Sequence, residues 1–196
     1  MGPKVQPPAP GGEAMAEHGF PPCVRDAGRR ILTPMWFEMQ SVGLEFLDAS
    51  PFRIDNEAVA NAPARRVFEV MATGEKQPAW FPDFVATRWT TPAPYGVGSE
   101  RDVEMKTLTV RERFLIWDPG KRLTFSMFGI TVPLVSAMAE DIRFEPLGED
   151  KTRIVWTVHY RPRLLMRAVH PIARSIFGKM FAGAAQGLAR YATEHP

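Results

Sequence analysis

Two periodicities divide the chain. From Phe52 onward, apolar and polar residues alternate with a step of two, the mark of half-buried strands. In FRIDNEAVAN the charged Arg53, Asp55 and Glu57 share one face, while Phe52, Ile54, Ala58 and Ala60 share the other. Asn61-Ala62-Pro63 ends that strand. ARRVFEVMA then predicts a short helix with Val67, Phe68 and Met71 inward, closed by an aromatic turn at Pro78, Trp80, Phe81 and Pro82. Six more strands follow: Phe84 to Thr91, Ser99 to Lys106, Thr109 to Trp117, Arg122 to about Val132, Met138 to Glu145, and Thr152 to Tyr160. Turn-forming stretches such as PAPYGVG, Asp118-Pro119-Gly120 and PLGEDK separate them.

After Tyr160 the step lengthens. Ala173, Phe177, Met180, Phe181, Ala184, Leu188 and Tyr191 recur every three or four residues between Pro171 and Thr193. That is one apolar face of a helix, about 33 Å long at 1.5 Å per residue, with Pro171 suited to its first turn. Strand, short helix, six strands and one long helix make an α+β order. Strands joined by short turns imply an antiparallel meander. The expected fold is a curved seven-stranded antiparallel sheet wrapped on the long C-terminal helix.

The N-terminal part follows neither rhythm. Residues 1–22, including GPKVQPPAPGG and HGFPP, predict a disordered Pro/Gly-rich tail with too little apolar surface to order itself. Residues 23–50 form an apolar extension carrying Trp36, Phe37, Met39, Val42, Leu44, Phe46 and Leu47. It is expected to pack as a helix on the outside of the domain, with a homodimer contact, a partner-binding segment or a lid as the sharper alternatives. The domain proper then spans residues 51–196.

Charge adds one asymmetry. The 196 residues carry 24 Lys and Arg against 22 Asp and Glu, a net charge of +2 that implies no particular partner. Yet from Arg161 to Thr193 there are six basic residues (Arg161, Arg163, Arg167, Arg174, Lys179 and Arg190) and no acid. The single cysteine, Cys23, cannot form an internal disulfide. No run reaches the roughly 18 apolar residues of a membrane span, and the start shows no signal-peptide pattern. These features lead to the expectation of a soluble cytoplasmic protein.

Four groups of residues carry a resemblance. AVANAPARRVFEVMA resembles the opening strand and helix entry of the START-like (SRPBCC) superfamily, and WFPDFVATRW its turn into the second strand. YGVGSERDV and VRERFLIWDPGKRLTF resemble its next strands and turn. EDIRFEPLGEDKTRIVWTV resembles its penultimate hairpin. Together they cover about Phe52 to His195. This is the helix-grip fold of Bet v 1-type allergens, polyketide cyclase/dehydrase proteins and lipid-transport proteins. The resemblance implies a cavity between sheet and helix. It does not extend to the N-terminal residues, and one fold hosts many functions.

Standard catalytic and nucleotide motifs are absent, and the four histidines are scattered. No metal, no cofactor and no nucleic-acid partner is expected. What remains is a set of polar residues on faces that otherwise point inward: Arg101, Glu112, Glu140 and Asn56. A buried charge is costly unless paired, and Arg101 can meet Glu112 on the neighbouring strand. These groups are either a structural ion pair or the polar pole of a site; a carboxylate in an apolar pocket has a raised pKa and suits acid–base work.

Small residues on facing elements, Ala58 and Ala60 on the first strand and several Gly and Ala on the last helix, suggest space between them. The cavity lining is expected from Trp80, Trp89, Phe125, Trp156, Tyr160, Phe177 and Phe181. A charge-free segment, GITVPLVSAM, and the apolar residues of 161–174 beside their arginines predict a rim that could touch an anionic membrane or an amphipathic ligand. Two functions fit these features: a carrier of a hydrophobic small molecule such as a lipid, isoprenoid or polyketide, and a polyketide cyclase- or aromatase-like enzyme using Arg101, Glu112 and Glu140.

Overall fold

The alternating stretches form the expected sheet. The computed structural model describes residues 35–166 and 168–196; the tail at 1–22 and residues 23–34 of the extension lie outside the described residues. The main elements are β2 (Phe52–Ala60), α2 (Ala64–Ala72), α3 (Gln77–Trp80), β3 (Phe84–Trp89), β4 (Glu100–Met105), β5 (Thr109–Asp118), β6 (Arg122–Ile130), β7 (Val135–Gly148), β8 (Lys151–Pro162) and α4 (His170–Glu194). They are preceded by β1 (Phe37–Glu38) and α1 (Phe46–Ala49). Seven strands run in the order β2-β8-β7-β6-β5-β4-β3, every neighbour antiparallel. Register shifts at Arg111/Glu112 and Phe114/Ile116 bend the β5–β6 pair.

The inward residues of these strands meet α2, α3 and α4 in one core that includes Phe68, Met71, Phe114, Ile142, Ile154 and Leu188. Val67, Phe68 and Met71 are buried on α2 as their spacing predicts. The helical face of α4 is real, but only its second half is sealed. Ala184, Ala185, Gly187, Leu188 and Ala192 are buried, whereas Ile172 and Ile176 are exposed. At Gly187 a Cβ would lie 2.0 Å from the Trp80 carbonyl oxygen. Only a residue without a side chain lets α4 approach α3 this closely.

The described part of the extension differs from expectation. Residues 35–50 are not one helix; they form the two-residue β1, a loop and the four-residue α1. Gly43 and the mixed spacing of apolar residues deny a continuous helical face. Instead β1 pairs with β6, Phe37 opposite Ile130, as an eighth strand off the main path. Val42 and Phe46 pack on Ala137 and Ala139 of β7, and Trp36 lies under the Arg111 guanidinium, 3.9 Å from carbon to ring centre. The segment is thus a strap across the outer face of its own sheet. Arg163 holds it by donating to the Glu38 carbonyl at 2.6 Å, Arg161 by donating to Gln40 Oε1 at 2.8 Å. At its end the Ser50 hydroxyl bonds His159 Nδ1 at 2.9 Å.

Candidate ligand cavity

Strand phase decides which side chains face the helix. Trp89, Arg101 and Glu112 occupy successive register positions across β3, β4 and β5; Phe125 and Glu140 face each other across β6 and β7. Between this inner face and the first half of α4 lies a cavity of about 410 Å³. Its lining is almost wholly apolar, with Val103, Phe125, Met127, Met138, Trp156 and Phe181 among the buried or half-buried walls. Thr107 and Ile176 are exposed lining residues, so the mouth lies between the β4–β5 turn and α4. A cavity of this size and polarity suits one small hydrophobic molecule.

One charged cluster interrupts the apolar wall. Arg101 Nε donates to Glu112 Oε2 at 2.7 Å, and both side chains are shut off from solvent. The guanidinium carbon lies 5.0 Å from the Phe114 ring centre and 5.6 Å from those of Trp89 and Phe125, so aromatic faces supply part of the lost hydration. Arg101 Nη1 is buried and has no hydrogen-bond partner among the described residues. Glu140 accepts a bond from Trp156 Nε1 at 2.8 Å.

Two carboxyls therefore share one cation. Burial pushes Glu112 up, and Arg101 pulls it part of the way back. Glu140 has no cation in contact; burial and then the Glu112 charge push it up to about 8, against the opposing pull of Trp156 and Arg101. Near neutrality Glu140 holds its proton, while Glu112 keeps its contact with Arg101. The wall thus presents a neutral acid and an arginine with an unused donor, both suited to an oxygen acceptor on a bound molecule.

A second polar pair sits at the start of α4. The Tyr160 hydroxyl, on the cavity wall, bonds His170 Nε2 at 2.8 Å, and Phe52 packs on the histidine ring with centres 4.2 Å apart. Burial raises the Tyr160 pKa. His170 escaped the sequence reading because nothing in its spacing links it to Tyr160. Only the turn back from β8 into α4 brings them together.

The expected lining divides in two. Phe125, Trp156, Tyr160, Phe177 and Phe181 line the cavity together with Arg101, Glu112 and Glu140. Asn56, Ala58, Ala60, Trp80 and Trp89 do not. Asn56 is turned to the β8 backbone, its Nδ2 donating to the Trp156 carbonyl at 3.4 Å. Ala58 packs against the core and Ala60 is wholly buried in it, where α4 crosses β2. Trp80 is wedged between Phe81 and Trp156. Trp89 backs the Arg101 guanidinium and stacks on Tyr95. The lining also holds Met127, Met138, Met180, Leu108 and Leu134, none of them in the expected lining. Among the described residues no group of three His, Cys, Asp or Glu side chains is placed to hold a metal ion.

Comparison with known proteins agrees with this architecture. The family model described as "Polyketide cyclase / dehydrase and lipid transport" matches residues 51–193. An uncharacterized protein of Mycobacterium tuberculosis is 31% identical over 123 residues, 62% of this chain and 73% of the relative. The Zhui aromatase/cyclase from Streptomyces sp. R1128 superposes with a TM-score of 0.63 at 16% identity, covering 72% of this chain and 93% of that one. Norcoclaurine synthase from Thalictrum flavum, solved with dopamine and hydroxybenzaldehyde, gives 0.58 at 18% identity, covering 82% and 97%. At such identities the structural likeness speaks for the fold alone.

Proposed function

The chain belongs to the polyketide cyclase/dehydrase and lipid transport family, and from that premise we propose that its cavity binds one hydrophobic small molecule carrying an oxygen acceptor. A lipid, isoprenoid or polyketide-like compound has this chemistry. The observation that carries the reading is the cavity of about 410 Å³ whose apolar wall is broken by the Arg101–Glu112–Glu140 cluster. Apolar burial supplies the affinity, and the donors at Arg101 and Glu140 orient the acceptor end. The ligand enters past Thr107 and Ile176.

A second reading rests on the proton held by Glu140 near neutrality. A ligand with several carbonyls could close a ring here. Glu140 gives its proton to a carbonyl oxygen as an enol carbon of the same molecule attacks the carbonyl carbon. The proton released from the enol hydroxyl as the new bond forms returns to Glu140. Glu112, tied to Arg101, balances charge throughout.

Native mass spectrometry of the purified protein, paired with titration by an apolar fluorescent dye such as anilinonaphthalene sulfonate, tests the binder reading. The expected result is a bound small molecule and saturable dye binding that it displaces. A protein that carries no small molecule and binds no dye rejects both readings. Glu140→Gln separates them: it keeps dye binding in either case, but abolishes ring closure of a linear polycarbonyl substrate only if the protein is an enzyme.

A further inference from the structure

We infer that the shoulder formed by residues 161–166 and 168–179 docks on an anionic lipid surface and turns the cavity mouth toward it. The first observation is exposure. Leu164, Val169, Ile172 and Ile176 are 75%, 45%, 68% and 63% exposed, two large apolar side chains on the first half of α4 and two in the segment leading into it. Other exposed apolar residues, such as Val59, Tyr95 and Leu147, are scattered over separate elements. On α4, Ile172, Ile176 and Lys179 follow at steps of four and three, so they share one outward face. Among the described residues, nothing covers that face.

The second observation is charge. Arg113, Arg122 and Arg153, elsewhere on the sheet, each face a carboxylate. Among the described residues, Arg161, Arg163, Arg174 and Lys179 form no ion pair. The three arginines donate instead to an amide or carbonyl oxygens, which leaves their charge unneutralised. No acidic residue occurs from Arg161 to Thr193. Apolar side chains flanked by uncompensated cations fit the interface of a bilayer rich in anionic headgroups, where each basic residue near the surface adds attraction. A protein partner with an equally apolar and acidic face would be a chance match; a membrane presents both properties everywhere.

The third observation is position. Ile176 belongs both to this face and to the cavity lining. Docking therefore places the mouth at the depth where hydrophobic molecules dissolve in the bilayer. A ligand could pass between membrane and cavity without crossing water.

Flotation of the full chain with vesicles tests the inference, using phosphatidylcholine alone against equimolar phosphatidylcholine and phosphatidylglycerol. Binding is expected only to the mixed vesicles, falling steeply with added salt. The double variant Leu164→Glu, Ile172→Glu avoids the cavity lining and should cut vesicle binding about tenfold or more while dye binding in solution stays unchanged. Lys179→Glu alone should cut it about fivefold or more, and serves if the double variant folds poorly. Binding that is absent, equal for both vesicle types, or indifferent to these substitutions overturns the inference. So does a dimer in solution that the double variant splits, with no effect on vesicle binding, because the face then belongs to a second copy. Loss of the cavity reading would appear separately, as absent dye binding by a protein that still floats with vesicles.

Discussion

The two halves of α4 meet the same sheet in opposite ways. Toward the C-terminus the helix presents Ala184, Ala185, Gly187 and Ala192 and lies flush on α2, α3 and β2. Toward the N-terminus it stays beside β2 at Gly178 but presents Phe177, Met180 and Phe181 to a void over the rest of the sheet. Small side chains mark the place of closest contact, because they let backbones approach. Large ones line the void where the helix spans the open part of the sheet. A run of Gly and Ala is therefore a poor sign of a cavity and a good sign of its absence.

The largest expected effect tests what replaces close packing around the cavity. Arg101→Ala leaves the Glu112 charge buried and unpaired and should cost about 3–5 kcal/mol in urea unfolding. An unchanged midpoint would mean that the cavity half does not depend on its ion pair.

Truncation separates the halves more directly. Leu188→Ala opens a hole in a sealed region and should cost about 3 kcal/mol. Phe177→Ala only widens an existing void and should cost about 1 kcal/mol while raising the dye-binding capacity. Equal losses would erase the distinction between the halves.

Acid–base behaviour marks the cavity half. Glu140 has a folded pKa of about 8 against 4.5 for the free group. The folded state thus binds a proton that the unfolded chain has released, and the native fold is favoured below about pH 4.5. Its advantage falls by about 1.4 kcal/mol per pH unit between about pH 5.5 and 7.5 and levels off above pH 8. Glu112, also raised, acts in the same direction. Glu140→Gln should flatten the slope of stability against pH and be the more stable form at pH 8. A parallel profile for parent and variant would place the Glu140 titration elsewhere.

Two gains in volume complete the series. Gly187→Ala puts a methyl group into the Trp80 carbonyl and should cost about 2 kcal/mol, even after its gain in helix propensity. Met138→Trp adds more atoms but places them in the void, so it should shift stability by less than about 1 kcal/mol and abolish dye binding. Strong destabilisation by Met138→Trp would show that the void is not open space.

The strand phases, the α+β order and the inward placement of Arg101, Glu112 and Glu140 were all legible in the sequence. A period of two assigns faces without further information, so a charged residue among apolar neighbours stands out. The position of the cavity was not legible, because local pattern does not say how far apart two elements stand. Ala58 and Ala60 were misread for that reason, and Trp80 and Trp89 because an aromatic looks the same whether it lines a void or fills one. The strap was misread because its hydrophobic content exceeds its periodicity. Its β1 pairing depends on an edge of β6 more than ninety residues away.

The pairing of β2 with β8 has a consequence in time. Asn56 meets Trp156 across a separation of 100 residues, so the first strand of the domain waits for the last before its ladder can close. During synthesis β2 has no neighbour in the sheet until β8 has left the ribosome, and α4 follows later still. Long-range closure of this kind is slow and leaves apolar strands open while the chain grows. The pocket is among the last parts of the molecule to exist. A ligand therefore cannot template its folding before β8 and α4 have been made.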